Sequence, residues 1–285
     1  ENEIFNIPYS FKISKDRLSN KIFSKINFNF LKLQLINEFD YSDNPKKGLV
    51  NFIYNKNKSE ASFTLKNNAF NFNFSDKSID PKFVYKSKTI FNPFYSSLEG
   101  DIYEIDISNF FNSNSLFSKF LKAEIFNNKN LNFDMNIAAK KFFKINNINN
   151  IILNFKIQEG LIDIDNSKFR WIDDANFEIL NSLIYIKQNQ LILDGKLIID
   201  IKNYNEIYKF LQISKNSRPK LKKIEIDINY NFDEQIINLK TIKIDNKISK
   251  NINNILKKIV LKKDKMQNKI YLKNILKEAI IAYAG

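Results

Sequence analysis

Between Ile151 and Ile201 apolar and polar side chains alternate almost without a break, in the run IILNFKIQEGLIDIDNSKFRWIDDANFEILNSLIYIKQNQLILDGKLIIDI. Successive side chains on a β-strand point to opposite faces, so each run has one apolar face and one wet face. Phe155 and Ile157, Ile162 and Ile164, Phe169 and Trp171, and Phe177 and Ile179 mark the apolar parity of successive runs. Turn-forming pieces separate them: Gln158-Glu159-Gly160, Asp165-Asn166-Ser167, Asp173-Asp174, Gln188-Asn189-Gln190 and Asp194-Gly195. The pattern is that of an antiparallel meander with a strand roughly every ten residues. Something must cover its apolar face, and the nature of that cover decides what the chain does.

The same alternation extends in both directions. Residues 1–41 read as strands, with a parity change at Phe30-Leu31 that marks a bulge or a strand boundary. Three short strands follow over 49–75, and Phe70-Asn71-Phe72-Asn73-Phe74 is the cleanest period-two run in the chain. Pro81 and Pro93 break the pattern and suggest a boundary. The chain is thereby divided into a β-strand region over 1–97, a β-rich unit over 98–247 and a C-terminal helical segment over 248–285. Helical spacing of apolar residues predicts helices over about 110–126, 203–215, 248–261 and 268–283. Ser115 or Asn112 is placed as the cap of the first and Asn203 as the cap of the second. A parity slip at Thr241 predicts a bulge in the last strand. The fold class is mainly β: an antiparallel sheet of about fifteen strands, a few short helices and a helical C-terminus. The last helix carries Leu272, Ile275, Leu276, Ala279 and Ile280 on one side. We read it as a cap on the open end of the sheet, in preference to a helix lying on a membrane.

Gly48, Gly100, Gly160 and Gly195 are read as positive-φ residues at strand edges, three of them directly after a carboxylate. The net charge of +14 accompanies a composition rich in Lys, Asn, Ile and Phe. A/T-rich codon usage accounts for much of the lysine, and the charges are spread along strands rather than clustered. No run of about 18 uncharged apolar residues occurs, so no helix spans a bilayer. The chain begins at Glu1, consistent with a processed form or a fragment.

With no His and no Cys, the usual nucleophile–base pairs and zinc ligand sets cannot be assembled. No glycine-rich phosphate loop is present. Glu159, Asp163, Asp165 and the pair Asp173-Asp174 fall on the wet parity or in turns, so they read as solvated rather than catalytic. Trp171 reads as packing beside Arg170. The Phe residues lie mostly on the apolar parity, which argues against presentation to nucleic-acid bases. The chain is expected to be no enzyme and to use no cofactor or metal.

From about Leu98 to Ile244 the motifs follow one order: LEGDIYEIDI, the helix SLFSKFLKAEIF, NLNFDMNI, the meander containing IQEGLIDIDNSKFRW, LILDGKLIIDIKNYNEIYKFLQI, and RPKLKKIEIDINYNFDEQIINLKTIKID. This order resembles the C-terminal regions of the AsmA-like family of bacterial envelope proteins, of the AsmA, TamB and YhdP type. The resemblance covers about half the chain and rests on residue class, not on catalytic signatures. It implies a long curved antiparallel sheet with a continuous hydrophobic groove. It also implies a periplasmic location in the cell envelope and a tether to the inner membrane through a segment absent from this chain. The expected partners are phospholipid acyl chains and an outer-membrane component. The implied role is movement of phospholipid between the inner and outer membranes and outer-membrane integrity.

On this reading Phe155, Ile157, Ile162, Ile164, Phe169, Trp171, Phe177 and Ile179 line the groove, with Glu159, Asp163, Asp165 and Arg170 outside in water. The alternative is a structural or adhesive β-rich surface protein with a closed dry core, which places the same residues inward. A transmembrane β-barrel fits less well, because helical segments interrupt the strands.

Overall fold

The computed structural model describes residues 2–4, 7–42, 44–54, 57–76, 83–106, 115–122, 126, 128–215, 218–248 and 265–284. The fold is mainly β, with seventeen strands in an antiparallel sheet among the described residues. The strands are β1 (Asn2–Ile4), β2 (Ile7–Asp16), β3 (Lys21–Phe28), β4 (Leu33–Asp40), β5 (Lys46–Tyr54), β6 (Asn57–Lys66), β7 (Ala69–Asp76), β8 (Phe83–Phe91) and β9 (Phe94–Ile105). They continue as β10 (Asn132–Phe142), β11 (Ile145–Gln158), β12 (Leu161–Asp163), β13 (Lys168–Trp171), β14 (Ala175–Lys187), β15 (Gln190–Ile201), β16 (Lys223–Asn231) and β17 (Ile236–Ile244). The described helices are α1 (Leu116–Lys122), α2 (Tyr204–Leu211) and α3 (Lys265–Ala284).

The chain divides into two compact units. The first comprises residues 1–103, 114–138 and 156–161, and the second residues 104–113, 139–155 and 162–285. In the first, β1 to β9 form a meander in which each strand pairs antiparallel with the next. In the second, β13 to β17 pair in chain order, β11 also pairs with β13, and β12 with β14.

Turn chemistry sets these registers. Glu159 and Gly160 have φ values of 53° and 82°, and Gln188 and Asn189 have 51° and 61°. Two consecutive left-handed residues match the right-handed twist of the flanking strands and close a tight hairpin. Of the two Asn-led pairs expected to turn, Asn67-Asn68 does, whereas Asn57-Lys58 lies at the start of β6. The parity change at Phe30-Leu31 is a strand boundary: β3 ends at Phe28, and Leu33 opens β4. The slip near Thr241 is a bulge, since Asp227 faces Thr241 while Ile228 faces Leu239.

The glycines differ from expectation. Only Gly160 has a left-handed φ; Gly48, Gly100 and Gly195 lie inside β5, β9 and β15. Asp194-Gly195 is therefore no turn, and β9 begins at Phe94 and runs straight through Gly100. Close packing explains two of them. A Cβ on Gly48 would lie 2.3 Å from the Glu38 carbonyl oxygen and 2.7 Å from Phe63 Cζ. A Cβ on Gly100 would lie 2.8 Å from the Tyr85 ring. Absence of a side chain lets a neighbouring ring lie over the strand. Gly195 sits opposite a bulge in β14, where the register shifts between Leu180 and Leu183.

Of the helix expected over 110–126, the described residues are 115–122 and 126, and they hold α1. Ser115 caps α1, its Oγ accepting the Ser118 N–H at 3.0 Å. α2 stops at Leu211 rather than near 215. Gln212 takes a left-handed conformation at φ 56°, its N–H bonding back to helix carbonyls, and the chain turns so that Ile213 and Leu221 are buried. Asn203 stands at the N-cap position without a side-chain hydrogen bond. α3 spans the segment expected over 268–283. The helix expected over 248–261 lies outside the described residues, apart from Ile248, which is exposed.

Candidate functional site

Antiparallel partners share a face, so the registers convert parity into surface. In the second unit Phe169, Phe177, Ile199, Ile224 and Ile244 form one row across the sheet. Ile179, Leu197, Ile226 and Ile242 form the next. Ile162, Ile184, Leu193, Tyr230 and Ile237 form a third on the same face. The bulge in β14 keeps this face apolar: it moves the inward residues from odd numbers at Phe177 and Ile179 to even ones at Ile184 and Ile186.

Helices cover part of this face. Ile207, Tyr208 and Leu211 of α2 and Ile275, Ala279 and Ile280 of α3 form one buried cluster with Ala175, Ile199, Ile224, Ile226, Ile242 and Ile244. Trp171 and Phe177 pack against that cluster. Trp171 meets Phe210 edge-on with ring centroids 5.0 Å apart, and Phe169 stacks on Phe177 at 4.7 Å. Buried Tyr208 donates its hydroxyl to the Pro219 carbonyl. Burial, with Asp245 nearby, pushes the Tyr208 hydroxyl up to about 12.

Of the eight residues assigned to the groove, Phe155, Ile157 and Ile162 are buried, at 3%, 1% and 5% exposure. Ile164, Phe169, Trp171, Phe177 and Ile179 are half-buried.

The opposite face of the second unit is largely polar, with Ile192 and Ile198 buried on it. Asp194 is its hub: Lys240 Nζ (2.6 Å), Asn229 Nδ2 (3.0 Å) and the Tyr185 hydroxyl (2.9 Å) all donate to its carboxylate. Burial alone would raise the Asp194 carboxyl, but these three donors outweigh it and hold the group below its ordinary value. Lys223–Glu225 and Lys168–Glu178 pair on the same face, at 2.8 and 3.0 Å.

Asp165 differs from expectation. It is not free in water: its Oδ1 accepts the Ser182 N–H at 2.6 Å and the Ser182 hydroxyl at 2.5 Å. The Ser182 Oγ in turn accepts the Ile164 N–H at 2.8 Å. The carboxylate thus ties the bulge of β14 to the turn after β12. Glu159 is exposed in a turn, Asp163 is half-buried, and Asp173, 87% exposed at its side chain, pairs with Arg170 at 3.5 Å. Asp163 and Asp165 share one turn, in which Asp163 Oδ1 accepts the Asp165 N–H at 3.1 Å, while Glu159 and Asp173 sit in others. Among the described residues no group of three or more carboxylates is placed to hold a metal ion.

The first unit has an apolar face of its own. Phe39, Gly48, Phe63 and Phe72 face one another across β4 to β7. Asn37, Val50 and Ala61 form the adjacent row, Leu35 and Phe52 lie in the row beyond it, and Phe74 faces Tyr85. The rings contact one another: Phe63 stacks on Phe70 at 5.2 Å, Phe52 meets Phe72 edge-on at 5.5 Å, and Phe39 meets Phe63 at 6.2 Å. Val50, Ala61 and Phe63 are buried beneath them, while Phe39, Phe52, Phe70, Phe72 and Phe74 are half-buried. Among the described residues no helix residue belongs to this cluster. α1 packs elsewhere in the unit, where Phe120 meets the buried pair Ile7 and Leu31. This aromatic face was not singled out as a site by sequence reasoning, although the Phe70-Asn71-Phe72-Asn73-Phe74 alternation signals it.

Among the described residues no helix is long and apolar enough to cross a membrane. No family model matches the chain, and no curated protein matches it.

Proposed function

We propose that this chain is a non-enzymatic β-groove protein of the AsmA-like type, which holds phospholipid acyl chains against an apolar sheet face. In this reading it works in the periplasm as part of a larger envelope protein tethered to the inner membrane. It carries phospholipid between the inner and outer membranes and so supports outer-membrane integrity. The observation that carries the reading is the aromatic face of β4 to β8. Its rings are half-buried except for Phe63, which is buried, and among the described residues they pack on other strand residues, with no helix in their cluster. A contiguous apolar surface left partly open to water marks a binding surface. Acyl chains suit it, because flat rings and branched side chains offer dispersion contacts without requiring polar partners.

In the second unit the half-buried Ile164, Phe169 and Ile179 offer the same chemistry beside the helix-covered core, with Phe155 and Ile162 as buried support, while Ile157 is buried in the first unit. α2 and α3 favour the second reading for that part of the sheet: a closed dry core that serves only as structure. Lipid extraction and mass spectrometry of the purified chain separate the two. Phospholipid retained in stoichiometric amount supports the groove; a lipid-free chain of normal stability supports the structural alternative.

A further inference from the structure

We infer that the β2–β3 hairpin is a docking element for the surface of an anionic phospholipid bilayer, with Leu18 entering the headgroup region. Leu18 stands at the tip of this hairpin with 99% of its surface exposed. On β2, Phe11 and Ile13 are also exposed, at 45% and 62%. The tip is a preformed turn. Asp16 Oδ1 accepts the Leu18 N–H at 2.9 Å, and Asp16 Oδ2 accepts the Ser19 hydroxyl at 2.6 Å. Asn20 is left-handed at φ 56°, and its side chain accepts the Tyr41 hydroxyl at 3.1 Å. Little ordering is therefore needed for Leu18 to insert.

The charge around the tip complements an anionic surface. Between Ile7 and Phe28 lie Lys12, Lys15, Arg17, Lys21 and Lys25, with Asp16 as the single carboxylate. Asp16 is engaged by the turn itself, and the hydroxyl of Ser19 leads the causes that lower its pKa. Lys21 pairs with Glu38, and Lys15 lies 3.8 Å over the Tyr41 ring. Among the described residues Lys12, Arg17 and Lys25 have no carboxylate partner, and Lys12 faces Lys25 directly across the two strands. Like charges directly opposite are unfavourable unless an anion neutralises them. A leucine tip ringed by cations combines the two signals of interfacial binding, apolar insertion and attraction to acidic headgroups. A polypeptide partner fits less well, since a stable protein interface buries about 800 Å² on each side and a single-leucine tip offers far less.

This inference does not rest on the acyl-chain groove: docking is read at the bilayer surface, and groove occupancy by lipid extraction. The test uses the full chain and vesicles of phosphatidylcholine with or without phosphatidylglycerol. The wild-type chain should co-sediment with the phosphatidylglycerol vesicles and be released by salt. Arg17→Glu and Leu18→Asp should each weaken binding roughly fivefold or more, with unchanged circular dichroism. A Leu18→Trp variant should gain a blue-shifted emission component on the anionic vesicles, above the constant Trp171 background. Equal binding by wild type and variants, binding indifferent to phosphatidylglycerol, or no emission shift at position 18 would overturn the inference.

Discussion

Carboxylates placed on the two apolar faces should have sharply different consequences. Ile242 is fully buried beneath the second unit's helices. Ile242→Asp removes its packing, for which Ile-to-Ala changes alone cost about 2–5 kcal/mol. It also strands an unpaired charge, at a further cost of several kcal/mol. Since whole domains are stable by only about 5–15 kcal/mol, this variant should be largely unfolded. Phe52 is half-buried in the first unit, and its main aromatic contact is the edge of Phe72 at 5.5 Å. Phe52→Asp loses about 1 kcal/mol of ring pairing and part of the burial of one ring, roughly 1–2 kcal/mol more. Its carboxylate can remain in water, so the variant should fold with a lowered urea midpoint. Ile164→Asp, at a half-buried position, should fall between the two. Urea titrations followed by circular dichroism, with Trp171 fluorescence reporting on the second unit, give all three values. If Phe52→Asp collapses as completely as Ile242→Asp, the aromatic face is a dry core and the groove reasoning fails.

The glycines give a graded series. Gly48→Ala should cost roughly 2–3 kcal/mol of overpacking, because its Cβ would meet backbone; Gly100→Ala should cost less, because the Tyr85 ring can move; Gly195→Ala should cost least, its nearest contact being 3.4 Å. Thermal denaturation of the three variants tests that order. Asp194→Asn should destabilise the second unit by about 1 kcal/mol at neutral pH, discounted for partial exposure. The folded Asp194 carboxyl is held low, so its contribution is present above the unfolded value of about 3.9 and is lost as pH falls through the folded value. The difference between wild type and Asp194→Asn should therefore vanish in acid, as stability measured against pH would show. Deleting residues 265–284 should expose the face around Ile242 and Ile244 and lower the melting temperature markedly.

Local rules carried the fold a long way and failed where distant strands meet. Alternation placed the strands, and paired left-handed residues at Glu159-Gly160 and Gln188-Asn189 closed hairpins where composition pointed to turns. Ser115 was legible as a cap because capping is local. Asp194-Gly195 was misread because its role depends on β14, where Asn181 and Ser182 bulge opposite an uninterrupted strand. Gly48 was misread for the same kind of reason: the ring that needs its space is Phe63, on the next strand. Asp165 looked solvated by parity, but Ser182, seventeen residues on, donates two hydrogen bonds to it. The apolar parity of the eight expected groove residues was readable from β11 to β14. Their degree of cover was not, because it depends on where α2 and α3 pack. The aromatic face of the first unit was visible only as a run of alternating phenylalanines, and whether a helix covers it, as none does among the described residues, is a tertiary fact.

The most direct test of acyl-chain binding is site-specific photo-crosslinking in cells. A photoreactive phenylalanine analogue replaces Phe52 or Phe72, both half-buried on the open face, and Phe169 in the second unit, with Tyr208 as a buried control. The account predicts phospholipid adducts at Phe52 and Phe72, detected by mass spectrometry, and none at Tyr208. Folded protein that yields no lipid adduct at either Phe52 or Phe72 would contradict it.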